Sequence, residues 1–135
     1  MLEPSCATGV FMHTAPAGAR VTGVEMDPTS AAIAAALHGE QHEIINSSLE
    51  RFATTDGVRQ FDAVVGNPPW AAARELTAFS RESGCFALQG HGHANLYQLF
   101  AERMLQLAAP GGRVGMLMPS GLLTDHGCAP LRQHL

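Results

Sequence analysis

The chain has 135 residues, of which 46% are hydrophobic and 15% are charged, and its formal net charge is −4. These values predict one soluble globular domain with a buried core, and they exclude a disordered chain. No apolar stretch approaches the roughly 18 residues of a membrane-spanning helix, and the N-terminus lacks the pattern of a signal peptide. The three cysteines are widely spaced, with no Cys-x-x-Cys pair, which predicts free thiols and a cytoplasmic location.

Short apolar strands alternate with helical stretches along the chain, a pattern that predicts an α/β fold with a doubly wound parallel sheet. The predicted strands are Leu2-Glu3, Val21–Val24, Glu43–Asn46, Asp62–Gly66 and Arg113–Met118. The predicted helices begin at about Gly9, span Ser30–Leu37 and Leu96–Leu107, and begin again near Ala129. Asp27 is predicted to cap the second helix with Pro28 at its first position, and Asn95 to cap the third.

A stiff loop, Asn67-Pro68-Pro69-Trp70, follows the fourth strand. The two prolines fix their own φ angles, remove two backbone donors and hold the preceding residues extended. The loop therefore presents an amide side chain, bare carbonyl oxygens and an indole ring at the carboxyl end of a strand, where open α/β sheets bind ligands. Such a group of atoms suits a flat molecule that carries an amino group.

A second signal lies upstream, where the first strand turns into a helix through the small residues Ser5–Gly9. Small residues let a ligand approach the backbone. Glu25 ends the next strand, about twenty residues further on, and this is the spacing at which a carboxylate accepts hydrogen bonds from ribose hydroxyls.

Together these segments resemble the S-adenosylmethionine-dependent adenine-N6 DNA methyltransferases, most closely the methylase portion of restriction–modification and phage-defence enzymes. The resemblance is carried by Leu2–Phe11, Gly23–Pro28, Phe61–Trp70, Asn95–Leu107 and Pro110–Ser120. It implies a Rossmann-like class I methyltransferase fold with a cofactor half (residues 1–56) and a catalytic loop with the following units (residues 57–135). It also implies S-adenosylmethionine as cofactor and double-stranded DNA, with the target adenine flipped out, as substrate.

The resemblance assigns two sets of residues. The catalytic residues are Asn67, Pro68, Pro69 and Trp70. The cofactor-binding residues are Glu3, Pro4, Ser5, Ala7, Gly9, Glu25, Met26, Ser48 and Asn67. No metal site is expected, because Cys85, His91 and His93 have irregular spacing and no obvious fourth ligand. Cys6 lacks a paired base and is interpreted as a small packing residue rather than a nucleophile.

Two positions depart from the family pattern. Ala7 stands where the cofactor turn usually has glycine, and its Cβ would be strained if the position requires a positive φ. Ser48 stands where an aspartate often holds the cofactor adenine, so the hydrogen bond there would lack charge assistance.

The family's sheet has seven strands, and only about five are present here, so we expect a partial catalytic domain that needs further segments or a target-recognition domain. The eight basic residues form no stripe, which is unusual for a nucleic-acid-binding domain. Protein-glutamine and RNA guanine-N2 methyltransferases therefore remain alternatives, as does an inactive remnant or assembly module. Arg74–Ala94 is predicted to be a mobile loop over the substrate cleft.

Overall fold

The computed structural model describes residues 1–49, 51–52, 59–72, 76–90 and 95–135. Within these residues five strands form one sheet in the order β3-β2-β1-β4-β5, with parallel pairing throughout. The strands are β1 (Leu2–Pro4), β2 (Thr22–Glu25), β3 (Glu43–Asn46), β4 (Phe61–Gly66) and β5 (Ala108–Met116). The predicted doubly wound α/β fold is therefore confirmed.

Helices precede β2, β3 and β5 and also follow β5. They are α1 (Val10–His13), α2 (Pro28–His38), α3 (Leu76–Glu82), α4 (Leu96–Leu107), α5 (Gly121–Thr124) and α6 (Ala129–His134), with a 3-10 turn at His126–Cys128. The predicted start of α2 is confirmed in its cap, because the Asp27 side chain accepts a hydrogen bond of 2.8 Å from the Ser30 N–H. Pro28 occupies the first position of α2, as predicted.

The bounds predicted for the fifth strand, Arg113–Met118, are wrong at both ends. The strand begins at Ala108, which pairs with Phe61, and the register then shifts before Arg113 pairs with Ala63. Gly111 lies in this irregular part with a φ of 78°. Pro110-Gly111-Gly112, which lies before the predicted strand, is thus an irregularity within the strand itself.

The predicted loop Arg74–Ala94 contains a helix, so the prediction is wrong for Leu76–Glu82. Residues 74–75 and 91–94 lie outside the described residues. Leu76 and Phe86 pack against Leu99 of α4, and this apolar contact gives the segment a reason to fold despite its glycines and serines.

The main core lies between the sheet and α4. Leu2, Val24, Val64 and Met104 are fully buried in one cluster, so the strands β1, β2 and β4 are held by a single helix. A smaller cluster of Cys6, Met12 and Val21 packs next to α1. No helix in the described part of the chain is long and apolar enough to cross a membrane.

Candidate active site

The candidate site lies where the chain changes direction across the sheet, between β1 and β4. From β1 the order runs outward through β2 to β3, whereas β4 and β5 lie on the other side of β1. Leu2 pairs with Val64, and a Cβ added to Gly66 would lie 3.4 Å from the carbonyl oxygen of Pro4. The loops after β1 and β4 therefore start side by side at the carboxyl edge of the sheet, the edge at which such folds bind ligands.

Glu25, at the end of β2, connects the loops on the β1 side of this edge. One carboxylate oxygen accepts the N–H of Ala7 at 2.8 Å, and the other accepts the N–H of Asp27 at 2.8 Å. Only 9% of the residue is exposed. Each oxygen keeps a second lone pair, so the carboxylate is held in one orientation and can still accept hydrogen bonds from a ligand.

The loop after β1 has three residues with positive φ: Ser5 at 62°, Ala7 at 48° and Gly9 at 87°. Ala7 therefore adopts the conformation in which its Cβ is penalised, at a cost of about 1–2 kcal/mol for an L-residue. The hydrogen bond from the Ala7 N–H to Glu25 offsets this strain and holds the conformation.

Glu3 is buried beneath this loop with 3% of its surface exposed, and its Oε2 atom has no hydrogen-bond partner. Burial raises the pKa of Glu3 to about 7, although a hydrogen bond from the Phe11 backbone opposes the shift. Burial also raises the pKa of the Cys6 thiol to about 12, with the negative charges of Glu3 and Glu25 acting in the same direction. A thiol held protonated is a poor nucleophile, which fits packing as the role of Cys6.

The two remaining cofactor-side candidates follow β2 and β3 at the same edge. Met26 is 73% exposed, so it is not an ordinary core methionine and its thioether is accessible to a ligand. The Ser48 hydroxyl accepts a hydrogen bond of 3.2 Å from the Arg51 N–H. This bond occupies one lone pair of the hydroxyl and leaves a second for another donor.

The Asn67–Trp70 loop is fixed at both ends. At its start, the Leu117 N–H donates to the carbonyl oxygen of Gly66 at 3.0 Å. At its end, the Leu96 N–H donates to the carbonyl oxygen of Ala71 at 3.0 Å, and Ala72 forms an antiparallel bridge with Asn95.

Between these two fixed points, the side chains of the loop separate into buried and exposed ones. Pro68 is buried, Asn67 and Pro69 are exposed, and Trp70 is 57% exposed. The amide and the indole are thus both accessible to a ligand.

Two residues that were not predicted from the sequence also stand out, one beside this loop and one in α4. Leu117 follows β5 beside Asn67 and is 57% exposed, although it lies directly after a strand. Glu102 of α4 is completely buried, and its carboxylate accepts three hydrogen bonds. A signal for Glu102 existed, since an acid three residues after Leu99 falls on the apolar face of an amphipathic helix.

A cavity of about 730 Å³ lies between α1 and the end of α2, and Thr8 and Gly9 of the loop after β1 line part of it. It is lined by His13, His38 and His42, yet the described residues include no group of three side chains placed to bind a metal ion. His91 and His93, considered with Cys85 as ligands, lie outside the described residues.

This fold, with the two loops at its switch point, is that of the class I methyltransferases. The chain belongs to the Eco57I restriction-modification methylase family, whose model matches residues 21–135. A solved structure, the type I restriction-modification system methyltransferase subunit from Streptococcus thermophilus, has a TM-score of 0.74 over 98% of this chain and 32% of its own length. At 18% identity, that likeness shows the fold.

Three curated relatives match most of the chain. Type II methyltransferase M.CvrRI of Paramecium bursaria Chlorella virus XZ-6E is 40% identical over 96% of this chain and 32% of its own length. Defense against restriction protein B of Escherichia phage P1 is 30% identical over 99% of this chain and 6% of its own length. The tRNA1(Val) (adenine(37)-N6)-methyltransferase of Shewanella halifaxensis is 27% identical over 76% of this chain and 42% of its own length. The chain therefore spans less than half of the length of each of these relatives.

Replacing Ala7 with glycine is expected to stabilise the chain, because glycine adopts the observed positive φ without strain. After allowing for the greater freedom of glycine in the unfolded chain, the gain is about 0.5–1 kcal/mol. The matched control is Ala32→Gly in the exposed middle of α2, which is expected to lose about 1 kcal/mol. Urea denaturation of the three proteins measures both changes, and a loss of stability in Ala7→Gly would contradict the strain.

The stability of the chain is expected to depend on pH through Glu3. Its pKa rises from an ordinary 4.5 to about 7 on folding, so the folded state holds an extra proton between these values. The contribution of Glu3 to stability is therefore complete below its unfolded pKa and is lost as the pH rises through its folded pKa.

Glu3→Gln removes this titration while keeping the shape of the side chain. We expect the difference in free energy of unfolding between wild type and Glu3→Gln to change steadily from about pH 5 to pH 8, with wild type losing stability. Chemical denaturation at several pH values measures it, and parallel curves would show that Glu3 has the same pKa in both states.

Proposed function

We propose that this chain is the catalytic portion of an S-adenosylmethionine-dependent methyltransferase that modifies the N6 amine of adenine in DNA. The observation that carries the proposal is the contact between Gly66 and Pro4. It brings the Asn67–Trp70 loop beside a loop suited to a nucleoside-containing cofactor. A methyl donor and a flat amine can thus meet at one sheet edge.

The cofactor side of the site fits S-adenosylmethionine in three respects. The fixed Glu25 carboxylate has lone pairs for the two ribose hydroxyls. The exposed thioether of Met26 lies next to it and offers an apolar surface for the adenine ring. The unpartnered Oε2 of the buried Glu3 lacks a donor, which the ammonium of the methionine part would supply.

The remaining cofactor residues act through backbone and small side chains. Pro4, Ser5, Ala7 and Gly9 keep the loop after β1 close to the sheet edge, and the Ser48 hydroxyl accepts from the adenine amine. S-adenosylmethionine, when bound, supplies an electrophilic methyl group on a sulfonium centre. The role of the cofactor half is to hold that group next to the catalytic loop.

The catalytic loop prepares the amine. The lone pair of an exocyclic adenine amine is conjugated with its ring, so the nitrogen is a weak nucleophile. The Asn67 side-chain oxygen and the Pro68 carbonyl accept its two N–H bonds, which favours tetrahedral geometry and frees the lone pair. Because the prolines fix these acceptors beforehand, they need little reorganisation as charge develops on the nitrogen.

Pro69 and Trp70 complete this side of the site. Pro69 has no N–H and stiffens the loop, whereas the exposed Trp70 indole stacks on the base. Stacking of this kind is worth about 1–3 kcal/mol per base. The target adenine must leave the duplex to reach the loop.

DNA is the favoured substrate because the family is that of a restriction-modification methylase, and one relative is a type II methyltransferase. The net charge of −4 argues that other segments or a target-recognition domain hold most of the duplex. RNA is the second candidate, supported by the similarity to a tRNA adenine-N6 methyltransferase. Peptide glutamine and RNA guanine are further acceptors that a substrate screen distinguishes.

Glu25→Ala is expected to weaken the binding of S-adenosylmethionine by roughly 10–100-fold, since two hydrogen bonds to a charged group are lost. Calorimetric titration of the cofactor into the purified chain measures this. Glu43→Ala is the control, because Glu43 lies at the opposite end of the parallel sheet, bonded to Arg59. Equal affinity of wild type and Glu25→Ala would refute the ribose role.

Asn67→Ala is expected to reduce the rate of methyl transfer to duplex DNA, measured at saturating cofactor, by about 10²–10³. The assay follows label from the methyl group of S-adenosylmethionine into DNA, tRNA and a glutamine-containing peptide. Gln60→Ala, at an exposed position just before β4, is the control for loss of an amide. Transfer to RNA or peptide but not to DNA would show that DNA is not the substrate. Undiminished transfer in Asn67→Ala would refute the mechanism.

A further inference from the structure

Glu102 lies in the middle of α4 with its side chain completely buried. One of its oxygens accepts the N–H groups of Ala87 and Leu88, and the other accepts the side-chain amide of Gln89. Three donors from consecutive residues thus converge on one carboxylate. The bond from Leu88 has a length of 2.9 Å.

Burying a carboxylate is costly unless strong hydrogen bonds replace its water. Here two backbone N–H groups and one side-chain amide supply such bonds. An apolar residue would fill this position of α4 at lower cost, so the carboxylate calls for a role beyond packing. Its donors show what it holds, namely the segment 85–89 that follows α3.

The neighbouring residues of α4 hold the same segment. The Gln106 amide donates to the Cys85 carbonyl oxygen at 2.9 Å, and the Arg103 guanidinium lies 5.9 Å from the centre of the Phe86 ring. Segment 85–89 therefore lies along α4, and the buried carboxylate of Glu102 is its central contact.

The same helix also holds the end of the catalytic loop. Its first residue, Leu96, donates to Ala71, and the preceding Asn95 bridges Ala72. The N–H of Asn95 in turn donates to the Gln98 side chain at 3.0 Å. The chain that runs from Trp70 to α4 is thus attached to this one helix both near Trp70 and at segment 85–89.

We propose that Glu102 is a positioning residue that holds segment 85–89 as a fixed wall on the acceptor side of the site. The proposal rests on the proposed methyl-transfer function. It assigns no contact between Glu102 and substrate: the residue acts through Ala87, Leu88 and Gln89. Acceptor binding therefore depends on α4, whereas cofactor binding depends on the loops after β1 and β2.

The test uses Glu102→Gln, which keeps the shape of the side chain but faces two backbone N–H groups with an amide. Its control is Glu82→Gln at the exposed end of α3. Trp70 is the only tryptophan of the chain, so quenching of its fluorescence by an adenine-containing single-stranded oligonucleotide reports acceptor binding. Cofactor affinity is measured by calorimetry, and hydrogen exchange follows the amides of Ala87 and Leu88.

In Glu102→Gln we expect roughly tenfold faster exchange at Ala87 and Leu88 and roughly tenfold weaker oligonucleotide binding, as one unsatisfied buried donor implies. Affinity for S-adenosylmethionine should stay within about twofold. A tenfold change would require a loss of about 1.4 kcal/mol at the loops after β1 and β2, on which cofactor binding depends. Glu82→Gln should leave all three quantities unchanged.

Gln89→Ala provides a second, milder variant if Glu102→Gln does not fold. It removes one donor and should weaken oligonucleotide binding in the same direction, without faster exchange in β1 or β2. Equal losses of cofactor and oligonucleotide binding in either variant would show a general structural role and overturn the proposal. Unchanged oligonucleotide affinity would overturn it as well.

These outcomes differ from a failure of the proposed function. If the oligonucleotide does not quench Trp70 in the wild-type chain, the adenine acceptor is refuted and the positioning role falls with it. If quenching occurs in wild type and is the same in the variants, the positioning role alone is refuted.

Discussion

The carboxylate of Glu25 is the interaction on which the cofactor side of this structure depends. It accepts the N–H of Ala7 and the N–H of Asp27, and Asp27 in turn caps α2. One side chain at the end of β2 therefore fixes the loop after β1, the turn after β2 and the start of a helix. A carboxylate is suited to this because its two oxygens accept several strong hydrogen bonds at once.

The acceptor side is organised differently. Its fixed points lie on α4, which holds Ala71 and Ala72 at one place and segment 85–89 at another. The two sides meet where Gly66 lies against Pro4, a contact between backbones with no side chain between them.

The sequence predicted those features that depend on neighbouring residues. Parallel strands, the Asp27 cap and the α4 bounds follow from local periodicity and capping residues, and the structure agrees. The early start of β5 was missed because Pro-Gly-Gly signals a turn locally, whereas pairing with Phe61 absorbs it as an irregularity in register. The role of Glu102 was missed because its partners lie 13 to 15 residues away in the chain, beyond the reach of helical spacing.

The positive φ angles of Ser5 and Ala7 have a consequence for how a ligand enters. Both residues hold this uncommon conformation in a loop that the hydrogen bond from Ala7 to Glu25 fixes. Ordering the backbone of one residue costs about 1–2 kcal/mol in conformational entropy. For Ser5 and Ala7 this cost arises when the chain folds. A ligand that contacts this loop meets backbone that the fold has already ordered, which lowers the entropy cost of binding.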